Sequence, residues 1–321
     1  MSRIGLIDVD GGKTFPNLAL MKISAYHKSI GDVVEWYDSF DGWFDRVYLS
    51  KVFSFTPDYD YHINAHEVIR GGTGYAISLE NGKEVFDKSK DINLPAEVEH
   101  MYPDYSLYPT LTKDTAFGFL TRGCPRGCDF CIVGKKEGRC SVKVADLKEF
   151  WGGQKNIVLC DPNILACKDW KSLLQQLIDS KAKVDFNQGL DIRLMTKEKV
   201  EMLNQIKVKE IHFAWDKYSD KDIILPKLRL FAEHSKMLKN KKAHNVIVYT
   251  LVNFDTTLAQ DLERIYTLRE MGYWAYVMIY DKAHCDSIYK KLARWVNNRF
   301  VFSVVEKFGE YLREVNAYEK V

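Results

Sequence analysis

The feature of this sequence that most constrains its fold is a regular alternation of short apolar runs with segments of helical period. Before residue 95 the apolar runs are Ile4–Val9, Val33–Tyr37, Arg46–Ser50 and Glu67–Ile69, and a helix is predicted after Pro16. Strands that alternate with helices predict a parallel β-sheet with helices packed on its faces. The alternation resumes after residue 112, so the chain is predicted to be α/β throughout.

The larger C-terminal part contains six predicted strand–helix units. The predicted strands are Ala116–Leu120, Asn156–Cys160, Val184–Asn187, Glu210–Ala214, Asn245–Leu251 and Ala275–Tyr280. The predicted helices are Val144–Trp151, Trp170–Lys181, Lys197–Ile206, Asp222–Lys239 and Thr257–Met271. Six consecutive units predict a partial barrel, and the residues from Ser287 onward predict two more helices.

A segment with several prolines separates the two alternating parts. Pro95, Pro103 and Pro109 lie in a stretch without helical or strand period, which predicts a linker. We therefore predict a Rossmann/flavodoxin-like domain over residues 1–95, a linker over 96–112, a partial (β/α)6 barrel over 113–283 and C-terminal helices over 284–321.

Composition and charge limit the classes of protein to which the chain can belong. A hydrophobic fraction of 46% and a charged fraction of 28% are typical of a soluble globular protein. No apolar run has the length of a membrane span, and the N-terminal MSRIGLIDVDGG ends in acids, unlike a signal peptide. We expect a cytoplasmic protein with no membrane partner, in which the seven cysteines are reduced.

Nucleic acid as a partner is possible but not indicated. The net charge of +2 gives no sign of such a partner. One stretch, from Lys217 to Lys242, is rich in lysine and has the basic character of a phosphate-binding surface. The alternative is that this stretch is the solvent-exposed face of a helix.

Three cysteines dominate the chemistry that the sequence predicts. Cys124, Cys128 and Cys131 lie in the run GFLTRGCPRGCDFC, with three residues between the first two and two between the last two. Three thiolates on one loop can bind three irons of a cubic iron–sulfur cluster and leave the fourth iron open. A structural zinc would need a fourth ligand close by, and the nearest other thiol is Cys140. Buried core cysteines are the remaining alternative.

From about Phe117 to about Asp281 the chain resembles the radical S-adenosylmethionine (SAM) superfamily, on this motif and the order of the strands that follow it. The resemblance implies a 4Fe-4S cluster and SAM as cofactors. It implies an enzyme in which the reduced cluster cleaves SAM to a 5′-deoxyadenosyl radical, which abstracts hydrogen from an unidentified substrate. An external electron donor such as a flavodoxin or ferredoxin would reduce the cluster.

The resemblance also implies SAM-binding residues at the ends of the first two strands of the barrel. Phe130, next to the third cysteine, would add an aromatic wall. Asp161 and Asn163 are similar in position to the segment of the family that contacts the methionine amino group, although the usual Gly-Gly-Glu is absent. A helix cap or an Asx turn around Pro162 is the alternative for these two residues.

Further SAM-binding candidates follow the third strand. Asn187 and Gln188 can bond to ribose hydroxyls or to substrate. Arg193 resembles an arginine that relatives often have at this place, and its guanidinium can bind the SAM carboxylate in a bidentate fork. The alternative for Arg193 is a surface ion pair with Asp191 or Glu198.

The last candidates follow the fourth and fifth strands. Asp216 is at the position where the superfamily often has a glutamate that contacts the ribose or the amino group. Asn253 follows the strand whose backbone holds adenine in relatives.

The N-terminal part resembles, by pattern, the cobalamin-binding-type domain that precedes many radical SAM barrels. That family binds cobalamin through a histidine in an Asp-x-His-x-x-Gly loop after the first strand. Here the loop reads Asp8-Val9-Asp10-Gly11-Gly12-Lys13 and has no histidine. We therefore expect a scaffold or substrate-docking domain. The alternatives are a cobalamin-dependent radical SAM methylase and, in another class, a non-catalytic iron–sulfur redox sensor or binding protein.

Overall fold

The structure, a computed structural model, describes residues 1–80, 83–239 and 245–318. It divides into unit 1 (Met1–Asp169) and unit 2 (Trp170–Val321). The domain boundaries predicted from the sequence stay a prediction.

Unit 1 begins with a four-stranded parallel sheet. Its elements in chain order are β1 (Arg3–Asp8), α1 (Leu18–Ser29), β2 (Val33–Trp36), β3 (Phe44–Ser50) and β4 (Ala65–Gly71). The strand order is β2-β1-β3-β4, and each neighbouring pair is parallel. This is the start of a flavodoxin-like order, with a switch point between β1 and β3.

Both faces of β1 are buried, as its unbroken apolar run predicts. Ile4 and Leu6 pack against Leu20 of α1 on one face. Ile7 packs with Phe44 and its neighbours in β3 on the other. A strand buried on both faces has no alternation of polar and apolar residues, which explains why its sequence is a run.

The rest of unit 1 consists of short elements. They are β5 (Ile77–Glu80), β6 (Lys83–Phe86), α2 (Ala96–Glu99), α3 (Pro109–Thr112), β7 (Thr115–Gly118), β8 (Thr121–Arg122), α4 (Val133–Lys136), β9 (Val142–Lys143) and β10 (Asn156–Leu159). β5 and β6 are antiparallel, β8 and β9 are antiparallel, and β7 pairs with β10 in parallel.

The prediction of a helix over Val144–Trp151 is wrong. The structure has only a 3₁₀ turn over Leu147–Glu149 in that segment. Asp146 and Glu149 form a capping box, and Gly153 two residues after the segment has a φ of 103°. The capping signal is present, but the glycines that follow end the helix after one turn.

Unit 2 contains four parallel strands that alternate with helices. Its elements are α5 (Trp170–Ser180), β11 (Lys183–Phe186), α6 (Lys197–Leu203), β12 (Lys207–Ala214), α7 (Lys221–His234), β13 (Val246–Val252), α8 (Leu258–Glu270), β14 (Trp274–Ile279), α9 (Ser287–Asn297), α10 (Arg299–Val304) and α11 (Phe308–Tyr318). β11 to β14 pair in chain order, all parallel.

The helix α7 ends earlier than the sequence predicts. Ser235 leaves the helical conformation, and its hydroxyl accepts a hydrogen bond from the N–H of Met237. The side chain of Asn204 accepts from the N–H of Lys236. The last residues of the lysine-rich stretch, 240–242, lie outside the described residues. Within it, Lys221 pairs with Glu263 and so is not a free basic group.

Three C-terminal helices follow β14, where two were predicted. Trp295 of α9 is fully buried and packs against Phe302 of α10 with ring centroids 4.9 Å apart. The side chain of Asn297 bonds to both backbone groups of Val277, so it covers part of the edge of β14. Among the described residues, no helix has the length and apolar character needed to cross a membrane.

Candidate metal centre and cofactor site

The three motif cysteines lie in a loop whose base is the antiparallel pair β8–β9. The N–H of Cys124 donates to the carbonyl of Gly138 at 3.2 Å, so the two arms of the loop are joined beyond that pair. Gly123 has a φ of 81°, and a Cβ there would lie 2.2 Å from the carbonyl oxygen of Cys140. Only glycine has both the conformational freedom and the small volume that this crossing requires.

Glu137 fixes the start of the loop from the opposite arm. Its carboxylate accepts from Nη1 of Arg122 at 2.9 Å and from the N–H of Gly123 at 3.0 Å. The Arg122 guanidinium lies 3.4 Å from the ring centroid of Phe119. Ion pairing and cation–π contact together hold the chain immediately before the first cysteine.

The thiols of the motif are accessible to different degrees. Cys124 and Cys128 are partly buried, and Cys131 is exposed. The N–H of Cys131 donates to the carbonyl of Cys128 at 3.0 Å, so the last two cysteines share one turn. Phe130 lies in that turn and is partly buried.

The donors of the described loop do not form a site for a single metal ion. In the described ranges, no three His, Cys, Asp or Glu side chains are grouped closely enough to hold one metal ion. A cubic cluster needs each thiolate on a different iron, so its ligands need not converge. All seven cysteines, which the structure describes in full, are outside disulfides.

Asn163 is the predicted site residue that the structure brings to the cysteine loop. It is 2% exposed, and its Nδ2 donates to Sγ of Cys124 at 3.4 Å. It precedes the 3₁₀ turn Ile164–Ala166 but makes no capping hydrogen bond with its side chain. Its Oδ1 is buried and has no hydrogen-bond partner within the described part of the chain.

Asp161 ties the end of β10 to the chain before the loop. Its carboxylate accepts from the N–H of Leu120 at 3.1 Å, and from the N–H and hydroxyl of Thr121 at 2.6 and 2.7 Å. Burial raises the pKa of Asp161 to about 6, against the effect of these hydrogen bonds. In this structure its acceptor positions serve the scaffold of the loop.

Arg193, in unit 2, lies between two carboxylates. Its Nε donates to Asp191 at 2.7 Å and its Nη1 to Asp220 at 2.8 Å. The ion pair with Asp191 that the sequence left open is therefore formed, whereas Glu198 pairs with Lys171. A SAM carboxylate at Arg193 would have to share the guanidinium with these two acids.

Asn187 and Gln188 form the turn that follows β11. Asn187 is partly buried and Gln188 is exposed. The turn is closed by the N–H of Gly189, which donates to the carbonyl of Phe186 at 3.1 Å. Both side chains are therefore at the carboxyl end of a parallel strand, where ligands bind in α/β folds.

Asp216 and Asn253 follow the next two strands of unit 2. Burial raises the pKa of Asp216 to about 6, although the charge of Arg264 acts in the other direction. Asn253 has a φ of 62°, and its Nδ2 donates to the carbonyl of Tyr280 at 3.0 Å. Asn253 thus joins the ends of β13 and β14 through its side chain.

Arg264 is a structural residue of this region that the sequence analysis missed. It is fully buried in α8 and donates to the carbonyls of Trp215, Asp216 and Leu251 and to the carboxylate of Asp261. Helical spacing could have identified it, because residues 261, 264, 265 and 268 lie on one face of the helix and are buried. An arginine at this position fixes the carboxyl ends of β12 and β13.

The loop after β1, which lacks the histidine of the cobalamin-binding pattern, is filled by side chains of this chain. The hydroxyl of Tyr108 donates to Asp8 at 2.7 Å. A Cβ on Gly12 would lie 2.5 Å from the Tyr108 ring. Asp10 accepts from the N–H of Val52 at 2.5 Å, so it braces the loop after β3. The described loop thus has no histidine, and its two carboxylates, Asp8 and Asp10, both accept hydrogen bonds from this chain.

The glycines after β4 pack against the loop that follows β3. A Cβ on Gly72 would lie 2.3 Å from the carbonyl oxygen of Lys51, and one on Gly74 would lie 2.8 Å from that of Phe53. Gly71 has open space around its Cβ position. Close backbone packing therefore accounts for Gly72 and Gly74, and only Gly71 leaves room for a ligand.

Unit 1 contains a cavity of about 850 Å³ at the carboxyl ends of β3 and β4. Ser50 and Gly71 line it, together with residues of α1 and with Lys136 from the segment after the cysteine motif. Burial lowers the pKa of Lys136, whose Nζ donates to the hydroxyl of Thr73. The volume is within the range of cofactor and ligand sites.

These elements define a class: an α/β chain with a Rossmann-like N-terminal sheet, a three-cysteine loop after the first strand of a second parallel region, and further parallel strands after it. No family model matches the sequence, and no curated protein is similar to it. Solved structures do share its fold.

Two of these structures are of TsrM, a radical SAM methyltransferase from Kitasatospora setae. The first, with cobalamin and a 4Fe-4S cluster bound, has a TM-score of 0.56 and 10% identity over 87% of this chain and 72% of TsrM. The second, with tryptophan substrate and the SAM analogue aza-SAM bound, has a TM-score of 0.54 and 10% identity over 86% and 72%. The predicted fold class, an α/β chain with a Rossmann-like domain followed by a partial barrel, is confirmed.

Proposed function

We propose that this chain is a radical SAM enzyme that binds a 4Fe-4S cluster through Cys124, Cys128 and Cys131. When bound, the cluster and SAM supply a 5′-deoxyadenosyl radical that removes hydrogen from a substrate. The residues of the chain hold and orient these cofactors. Asn187, Gln188, Arg193, Asp216 and Asn253 are proposed to bind SAM, as are Phe130 and Asn163. Asp161 is instead proposed to brace the loop through Leu120 and Thr121.

One observation carries this proposal: the three cysteines occupy a braced loop at the carboxyl end of a parallel strand. Glu137, Gly123 and the β8–β9 pair fix the base of the loop, while Asn163 donates to the sulfur of Cys124. A cysteine kept only for core packing would be buried and would not need a donor on its sulfur. Cys131 is exposed, as a thiol that binds a cofactor at the surface of a loop would be.

An anaerobic assay tests the proposal. The chain is reconstituted with iron and sulfide, reduced with dithionite, mixed with SAM and assayed for 5′-deoxyadenosine. We expect this nucleoside from the wild type, its loss in Cys128→Ala, and its retention in Cys140→Ala, an exposed thiol outside the motif. A fully loaded cluster that never cleaves SAM, with or without candidate substrates, would favour the redox-sensor alternative.

The reductant in the cell is proposed to be an external flavodoxin-type or ferredoxin-type protein. The cysteines outside the motif, Cys140, Cys160, Cys167 and Cys285, do not form the dense motif that a second, electron-transfer cluster would need. Electrons would then have to arrive from another protein.

A cobalamin-dependent methylase is the second candidate, and the cavity of unit 1 favours it. The cavity opens at the carboxyl ends of β3 and β4, the edge at which open α/β sheets bind ligands. The place after β1 is filled by Tyr108 and has no histidine that could bind cobalt. A corrinoid would therefore be held by its periphery, without a ligand to cobalt from this loop.

The absorbance of the chain after expression with added cobalamin tests the second candidate. A corrinoid spectrum that copurifies in stoichiometric amount supports it. Asp10→Ala should leave binding unchanged, because no ligand to cobalt is expected from the loop after β1. A protein that cleaves SAM but has no corrinoid absorbance leaves only the first function.

A further inference from the structure

Asn163 has contacts that folding alone does not explain. The residue is 2% exposed, so its amide has lost its water. Nδ2 meets Sγ of Cys124 at 3.4 Å, and Oδ1 has no hydrogen-bond partner among the described residues. A half-satisfied buried amide is less favourable than an apolar side chain of the same shape. Something other than stability of the loop therefore favours an asparagine.

The orientation of the amide follows from the chemistry of its partner. A cysteine that binds iron does so as a thiolate, which only accepts hydrogen bonds. The carbonyl oxygen of the amide is also an acceptor, so it cannot face the sulfur. The NH2 group must therefore point at Cys124, as it does in the structure.

The backbone around Asn163 keeps this donor in place. The hydroxyl of Ser141 donates to the carbonyl of Asn163 at 2.8 Å. Asp161, two residues earlier, is bonded to Leu120 and Thr121, which lead into the cysteine loop. The donor and the sulfur are thus positioned from the same two segments, and their distance is set by the scaffold.

We propose, on the basis of the proposed function, that Asn163 is a positioning residue that raises the reduction potential of the cluster through its hydrogen bond to the Cys124 sulfur. Reduction adds negative charge to a cluster and its thiolates. A hydrogen-bond donor at a ligating sulfur stabilises that charge, so the reduced state forms more easily. Asn163 in this way acts on the cluster without touching iron.

The test is a redox titration of the reconstituted full-length chain, followed by electron paramagnetic resonance. Asn163→Leu keeps the approximate shape of the side chain and removes the donor. We expect this variant to bind iron and sulfide like the wild type and to have a more negative midpoint potential. Asn64→Leu, the same substitution at an asparagine whose amide donates to the carbonyl of Ser39 instead of to a cysteine, is the matched control and should keep the wild-type potential.

A second variant covers the case in which leucine prevents cluster loading. Asn163→Asp keeps the size of the side chain and places a negative charge at the thiolate, so its potential should fall below that of the wild type. A loaded Leu or Asp variant with the wild-type potential would overturn the proposal. So would failure of both to load, since Asn163 would then be needed for assembly.

The outcome for the wild type separates this proposal from the function on which it rests. A wild-type chain that binds no four-iron cluster would overturn both. A wild-type chain that binds the cluster and cleaves SAM, with variants of unchanged potential, would overturn only the role of Asn163.

Discussion

Asp161 and Asn163, two buried polar residues after β10, have different hydrogen-bonding roles. Asp161 accepts hydrogen bonds from Leu120 and Thr121 and so serves the scaffold. Asn163 turns its donor to Cys124, and its oxygen has no hydrogen-bond partner among the described residues. The first residue therefore completes its hydrogen bonds within the described chain, and the second does not. This difference is visible at the level of single atoms and not in the sequence.

The pKa of Asp161 leads to a prediction about folding stability. Its value in the folded chain, about 6, is above the ordinary 3.8, so the folded state holds the proton more tightly than the unfolded state. Its contribution is therefore fully present below pH 3.8 and is lost as the pH rises to about 6. Relative to Asp161→Asn, the wild type should lose about 3 kcal/mol of unfolding free energy over this range, from a shift of roughly two pKa units.

Urea denaturation of both proteins at several pH values between 4 and 7 checks this prediction. The difference between the two curves isolates Asp161 from the other acids. A wild type that instead gains stability over Asp161→Asn with rising pH would mean that the three hydrogen bonds keep the carboxylate ionised.

At the scale of single residues, the sequence identified the three cysteines as candidate cluster ligands, because their spacing is a local pattern. It left the role of Asn163 open between a turn and a ligand contact, and the structure shows no capping bond from its side chain. The contact between Asn163 and Cys124 joins residues 39 positions apart, and no local pattern encodes such a pair. The sequence left Arg193 open as well, since an ion pair and a cofactor contact use the same guanidinium.

Among the elements, the strands followed from the sequence more closely than the segments between them. The apolar runs of β1 and β13 formed strands because burial on both faces leaves an unmistakable run. The segment Val144–Trp151 has helical period but forms one 3₁₀ turn, since Gly152 and Gly153 follow it. Between β7 and β10, the chain forms the cysteine loop and the β8–β9 pair. The later strands are instead connected by helices, such as α6 between β11 and β12.

We expect the conformation of the cysteine loop, and therefore its iron loading, to depend on a single glycine. In Gly123→Ala the new Cβ meets the Cys140 carbonyl and the residue keeps a left-handed φ, so we expect most of the iron loading to be lost. Gly138→Ala is the matched control, because Gly138 has a φ of 97° but open space around its Cβ position. In the control, only the strain of a left-handed φ at a residue with a side chain lowers the free energy of unfolding, by about 1–2 kcal/mol.

Iron and sulfide per chain after reconstitution, together with the melting temperature, measure the two effects. Both variants should melt below the wild type, and only Gly123→Ala should bind little iron. Equal loading in the two variants would show that the crossing of the loop arms tolerates a side chain.

On the scale of the whole molecule, the fold is shared with a solved structure although the two sequences have little in common. The chain shares its fold with TsrM at 10% identity over most of its length. Periodicity of apolar residues and the ends of the strands are enough to specify such a fold, and they tolerate nearly every substitution that keeps the pattern. The substrate does not follow from it, because one fold supports many reactions.

The segment 96–112 shows how contacts distant in sequence alter the interpretation of a proline-rich stretch. The sequence predicts a linker there. In the structure, Lys22 of α1 pairs with Glu99 at 2.7 Å. Asp104 accepts from Lys28 and Ser24, each at 2.6 Å. These contacts join the segment to α1, so it is bound to the N-terminal sheet domain through its own side chains.

Limited proteolysis should therefore spare this segment in the native chain. Chymotrypsin is expected to cut first after Phe40, which is 95% exposed, and after Tyr105 and Tyr108 only much later. Asp104→Ala removes the acceptor for Lys28 and Ser24, which should lower the free energy of local opening by about 1–3 kcal/mol. Cleavage in the segment should then become about 5- to 150-fold faster, while Asp60→Ala, an exposed acid elsewhere, should leave it unchanged. If the wild type is cut at Tyr105 as fast as at Phe40, the segment is the free linker that its prolines suggest, because the contacts to α1 would then contribute too little to keep it closed.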